Sequence, residues 1–232
     1  MNNYIKALGR VLVLVLAVAA YWFGGMRLAA QATILADAQL EGFRYTIYTA
    51  NDDSAYIQVQ FDLTSAAGIN GYRRGATQVS SQYADSHRDQ MILVDLTLYR
   101  PLSLQEFASL TSRYGLEPQD FAIRVLAGSE RWTISGHARG GMIDPEAVQR
   151  QLTSIQAANK NARLLGVVYA HVSMPSNIYY DLAADPNVFL ADAVQPYLTE
   201  QAVALKPSAT GSVEYYCPNV YWAMENLGLV GK

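Results

Sequence analysis

The sequence predicts an α+β chain in which an N-terminal membrane helix carries a βαββαβ domain. Three observations lead there. Residues Val11–Met26 run sixteen positions without a charge. Between Met91 and Met174, strand-period and helix-period segments alternate in the order β-α-β-β-α-β. Capping chemistry at Ser103 and Asp144 marks both helix starts in that stretch.

The apolar run comes first. Spanning a hydrocarbon core of ~30 Å takes roughly 20 helical residues. Ala7–Gly9 and Leu28–Ala30 lengthen the run at either end, with the flanking arginines snorkelling to the headgroups. The expected anchor, 11–27 with its flank, is carried by Arg10, Val11, Leu14, Val18, Tyr21, Trp22, Phe23 and Arg27. Lys6 and Arg10 stand unopposed, since no acid precedes Asp37. The positive-inside rule then predicts a short cytoplasmic tail, 1–10, and a single-pass protein of the cell membrane whose C-terminal domain is extracytoplasmic. A cleaved signal peptide ending at Ala30-Gln31-Ala32 is the competing reading. Arg27 inside the cleavage region and the Tyr21-Trp22-Phe23 run favour a retained anchor in the lipid bilayer. Residues 28–42 continue at helical spacing through Leu28, Ala32, Leu35, Ala36 and Leu40 to Gly42, which predicts a helical stalk.

The extracytoplasmic domain is expected over 43–232. Phe43 to Thr49 and Tyr56 to Leu63 read as an N-terminal β-hairpin, and Ile57, Val59, Phe61 and Leu63 alternate with polar residues. Residues 64–90 are polar and glycine-rich with little periodicity, which predicts a long loop. Met91 to Tyr99 is a strand. Ser103-Leu-Gln-Glu106 forms a capping box before Phe107, Leu110 and Tyr114, and Gly115 stops that helix. Phe121 to Ala127 and Arg131 to Ser135 are strands joined at Gly128-Ser129. Asp144-Pro145-Glu146 opens a second helix with Val148, Leu152 and Ile155 on its buried face. Leu164 to Met174 is apolar on both faces and reads as a central strand. That order is the split-βαβ, ferredoxin-like arrangement, and a short helix from Ser176 with a strand at Val188 to Ala191 adds a C-terminal αβ unit. Farther on, Val220, Ala223, Met224 and Leu227 keep helical spacing.

Charge and cysteine usage narrow the function. Three of the seventeen Lys+Arg precede residue 28 and all twenty Asp+Glu follow it, so the rest of the chain carries a balance of −6. Such a surface repels phosphate backbones, and no nucleic-acid partner is expected. One cysteine, Cys217, excludes an intrachain disulfide. The sixteen tyrosines fit strands and polar interfaces.

No catalytic motif is present, and no cofactor, metal or catalytic residue is assigned. His87, His137 and His171 make no zinc-type spacing. Asp85-Ser86-His87-Arg88-Asp89 offers a histidine with an acid on either side, the raw material of a hydrolase, but reads more simply as a solvated loop tip. His137 lies in a glycine-rich turn that is a connector or an anion cradle. His171, among apolar strand residues, reads as a satisfied core histidine, and Cys217 beside Tyr215 and Tyr216 as a buried thiol. The expected function is therefore a membrane-anchored, protein-binding or assembly module, an accessory subunit of a cell-envelope complex with a protein partner. The alternatives are an extracytoplasmic hydrolase using a histidine–acid pair and a ligand-sensing exterior domain.

Overall fold

The computed structural model describes residues 32–49, 54–209 and 212–230, which form two sheets and six helices. The smaller sheet has the order β1-β2-β3-β9. Its strands are β1 (Thr33–Leu40), β2 (Phe43–Thr49), β3 (Ala55–Gln60) and β9 (Val213–Tyr216). Neighbours are antiparallel except β3 and β9, which run parallel.

The expected helical stalk is a strand. Ala36, Ala38 and Leu40 alternate onto the core, and the chain returns through Glu41–Gly42 to place Leu40 opposite Phe43. Apolar residues at 32, 35, 36 and 40 satisfy a helical spacing as well, and the available partner strand decides between the two. No helix among the described residues is long and apolar enough to cross a membrane. This corrects the expected single-pass membrane topology, while the expected span 11–27 and its anchor residues lie outside the described residues.

The expected loop at 64–90 is the longest described helix, α1 (Ala66–Ser86). Ser65 caps it by accepting from the Gly68 amide at 3.0 Å, and Ser65 in turn donates to Asp62 at 2.5 Å. Its buried face is Ile69, Tyr72, Ala76, Val79 and Tyr83, an apolar stripe at steps of three and four. The glycines that disguised it let α1 approach the β1–β2 turn. A Cβ on Gly75 would lie 1.8 Å from the Glu41 carbonyl oxygen, and one on Gly42, at φ +74°, 2.0 Å from that of Gly71.

The larger sheet has the order β6-β5-β7-β4-β8 and is antiparallel throughout. Its strands are β4 (Met91–Leu102), β5 (Glu117–Ala127), β6 (Glu130–His137), β7 (Ala162–Pro175) and β8 (Val188–Asp192). A ferredoxin-like sheet would seat β6 between β4 and β5; here β7 takes that seat and β6 goes to the edge. Burial explains the exchange. Along β7, Val167, Val168, Ala170, Val172 and Met174 are inaccessible, whereas β6 buries only Ile134 fully. The central position goes to the strand that is apolar on both faces. The ferredoxin-like expectation is thus corrected to a two-sheet α+β fold with its own strand order.

Helices α2 (Leu104–Tyr114) and α3 (Pro145–Ala158) start where the capping residues put them. Ser103 and Glu106 close a reciprocal capping box, and Asp144 accepts from the amides of Glu146 and Ala147. Both pack on one face of the larger sheet, through Phe107, Leu110, Val148 and Leu152. A second core joins the inner face of the smaller sheet to α1, to Phe189 and Leu190 of β8, and to α5 (Val194–Leu205) and α6 (Val220–Asn226). The short α4 (Tyr179–Ala183) precedes β8. The strand β9, read from the sequence only as part of a tail, forms the edge of the smaller sheet beside β3 before α6.

Candidate functional site

Register across the larger sheet lines up five titratable side chains. His137 on β6 pairs with Asp120 on β5, Asp120 with His171 on β7, His171 with Asp95 on β4, and Asp95 with Asp192 on β8. Directly paired residues of an antiparallel sheet point to the same face. The side chains agree. His137 Nδ1 bonds Asp120, and His171 Nδ1 lies 2.7 Å from Asp95 Oδ1. Tyr169, two positions from His171, donates to the same Asp95 oxygen at 2.5 Å.

The row lies on the face turned away from α2 and α3. At its β8 end is a cavity of about 250 Å³ between the sheets, with Asp95, Thr97 and Asp192 on one side and Tyr72, Tyr215 and Cys217 on the other. At its β6 end is a wider cleft of about 530 Å³, bounded by Asp120, His137, Ser135 and Trp222. Tyr169 and Asn219 border both spaces, which therefore adjoin.

The inner cavity is rich in hydrogen-bond acceptors. Asp192 accepts from the Tyr72 hydroxyl at 2.5 Å and from the Val194 amide at 2.8 Å. Burial, reinforced by the charge of Asp95, raises its pKa to about 7 despite the Tyr72 bond. The Tyr72 hydroxyl also lies 3.5 Å from Cys217 Sγ. Burial and the Asp192 charge push that thiol up to about 12, so it stays protonated and a poor nucleophile. Thr97 is 4 % exposed and borders the cavity, and its hydroxyl has no protein hydrogen-bond partner among the described residues. No lysine, arginine or histidine lines the inner cavity among the described residues. The hydrogen bond that His171 donates to Asp95 raises the pKa of His171, partly offset by burial.

The wall formed by residues 217–222 is fixed to the sheet by a buried ion pair. Arg124 on β5 donates to Glu225 on α6, and its guanidinium lies 3.9 Å from the centroid of the Trp222 ring. Only the Arg124 Nε lacks a partner there. Tyr221 is buried beneath the wall, next to Val168 and Ala122.

The residues singled out from the sequence fall differently. His87 pairs with neither Asp85 nor Asp89; its Nε2 lies 3.0 Å from Glu200 on α5 and its Nδ1 2.9 Å from the Tyr83 carbonyl. Asp85 accepts instead from Tyr180. His137 and His171, expected as a connector residue and a core residue, stand in one row, and Cys217, expected to be buried, is half-buried at the end of it. Asp95, Asp120, Asp192, Thr97 and Tyr72 were not singled out. The available signal was an acid interrupting an apolar strand, as in Leu93-Val94-Asp95-Leu96 and Phe189-Leu190-Ala191-Asp192. Among the described residues, no three His, Cys, Asp or Glu side chains are placed to hold a metal ion. No protein-family model, curated protein or solved structure matches the chain.

Proposed function

We propose that the chain is a non-catalytic binding module whose inter-sheet cavity takes a small organic cation. The observation that carries this reading is the inner cavity itself. Two carboxylates and an unpaired hydroxyl face a space with no protein cation on its walls. Burying the Asp192 carboxylate costs free energy that a bound ammonium group offsets. The tyrosine rings around it suit the hydrocarbon next to such a group and add cation–π attraction. Hydrolysis is the weaker reading. Among the described residues no hydroxyl or thiol bonds His137 or His171, the Ser86 hydroxyl 3.0 Å from His87 Nδ1 donates to the Tyr83 carbonyl, which Nδ1 also faces at 2.9 Å, and the Cys217 thiol is held protonated.

The test is calorimetric titration of the full chain at pH 8 with n-butylammonium and, separately, with butyrate. Butylammonium is expected to bind, butyrate not, and Asp192→Asn to weaken butylammonium at least tenfold. Equal behaviour of the two ions, or no butylammonium binding, contradicts the reading.

A protein partner remains a second proposal, supported by the outer face of the smaller sheet. Tyr48 and Tyr56 stack there at 5.3 Å, and Tyr216 stands 51 % exposed on the neighbouring β9. Tyr48 and Tyr56 are half-buried and Tyr216 is exposed, and tyrosines on a surface are enriched at protein interfaces. Replacing Tyr56 and Tyr216 by serine is expected to abolish co-purification of such a partner; unchanged co-purification counts against this face.

A further inference from the structure

We infer that the cation is a linear diamine or longer polyamine lying across the strands, one ammonium group among Asp192, Asp95 and Thr97 and the other at Asp120. This inference rests on the small-cation reading above and names its ligand class.

The spacing of the acids argues for it. Asp120 and Asp95 are both paired with His171, from opposite sides. Adjacent strands lie about 4.8 Å apart, so these two acids are about 10 Å apart and Asp192 is about 15 Å from Asp120. An acid pair at one end, a single acid at the other and a shared border between suit two like charges held apart by a chain. A compact monocation would use only one end.

The inner end matches an ammonium group in number as well as charge. A primary ammonium has three donors. Asp192 and Asp95 each offer a carboxylate oxygen, and the Thr97 hydroxyl, 4 % exposed and without a protein partner among the described residues, offers the third acceptor. The path between the ends is bordered by Tyr169, which suits methylene groups. At the outer end Asp120 is half-exposed and already bonded to His137, a partner that solvent or ligand can replace.

Other charged groups at the path set its pH response. His171 stands between the two anionic ends and His137 at the outer one. Protonated His171 repels an ammonium group, and its bond to Asp95 raises its pKa, so the diamine binds more tightly as rising pH takes the proton from His171.

The experiment is calorimetric titration of the full chain at pH 8 with α,ω-diammonium alkanes of increasing length and with monoammonium alkanes of matching length. With carbon–carbon bonds of about 1.5 Å, a diamine of about seven methylenes spans about 10 Å between nitrogens. Affinity is expected to peak near that length, with the best diamine at least tenfold tighter than its monoamine. Asp120→Asn is expected to abolish that diamine advantage, while the unfolding midpoint verifies that the variant is folded. Equal affinities of mono- and diamines at every length, or an advantage that survives Asp120→Asn, overturns the inference. If butylammonium binds but a second ammonium adds nothing, only the diamine inference fails. If butylammonium does not bind at all, the small-cation reading fails with it.

Discussion

The Tyr72 hydroxyl donates to Asp192 Oδ2 at 2.5 Å, which ties the middle of α1 to the end of β8 in the wall of the inner cavity. Its consequence is a specific pH dependence of stability. Asp192 has a folded pKa of about 7 against an ordinary value near 3.8, chiefly through burial. Between those values the native state binds more protons than the unfolded chain, so stability falls as pH rises. The groups facing Asp192 are Tyr72, Asp95, Tyr215 and Cys217, and neither tyrosine nor thiol titrates in that window. His171, raised by its bond to Asp95, acts in the same direction: its contribution is complete below its unfolded pKa and lost as pH passes the folded one. Urea midpoints are expected to be highest in weak acid and to decline through neutrality. Asp192→Asn should remove most of that decline and gain a few kcal/mol at pH 8. Parallel profiles for the two proteins contradict this.

The packing of α1 makes two neighbouring glycines unequal. Gly75→Ala places a methyl 1.8 Å from the Glu41 carbonyl oxygen, while Gly71→Ala meets its nearest neighbour, Gly42 Cα, at 3.5 Å. The first should cost about 1–3 kcal/mol or more through overpacking. The second should be neutral or stabilise by up to about 1 kcal/mol through helix propensity. Urea denaturation of both variants checks the contrast, and equal effects would show that the approach of α1 to the β1–β2 turn is looser than described.

The start of α2 rests on Ser103 and Glu106. Ser103→Ala removes the acceptor for the Glu106 amide and should cost about 1 kcal/mol. The bonds from Arg100 and Ser103 hold the Glu106 pKa down to about 2. In Ser103→Ala, carboxyl NMR titration should find that pKa raised but still below 4.5, because the Arg100 bond persists. An unmoved pKa would count against the reciprocal box.

Breaking the pair behind the cavity wall should loosen α6. Arg124→Met leaves Glu225, 13 % exposed, with only the exposed Arg131 at 3.7 Å as a partner, a change of at most about 3–5 kcal/mol. Trp222 loses the guanidinium over its ring, so its fluorescence should shift to the red and butylammonium binding should weaken with it. Full retention of both would show that the wall does not depend on the ion pair.

Local chemistry was the legible part of the chain. The caps at Ser103 and Asp144 and the turn at Gly128 depend on residues two or three apart, and they sit where the sequence places them. The helix α1 was hidden because Gly75 answers to the β1–β2 turn and Gly68 to Asp62 in the segment before the helix, rather than to helix propensity. The seat of β7 depended on comparing its burial with that of β6, which is a property of the assembled sheet. The titratable row was harder still. Residues 95, 120, 137, 171 and 192 come from five strands, and only register brings them together. His171 looked like an ordinary core residue because its partner Asp95 is 76 positions away.

The most direct test of the central claim is the proton balance of binding. Butylammonium is titrated into the full chain at pH 7 in two buffers of different ionisation enthalpy. With Asp192 half-protonated at a pKa of about 7, binding at its carboxylate should release about half a proton per site, and Asp192→Asn should remove that release. Binding with no proton release, or a release unchanged in Asp192→Asn, would contradict the assignment of the inner cavity as the cation site.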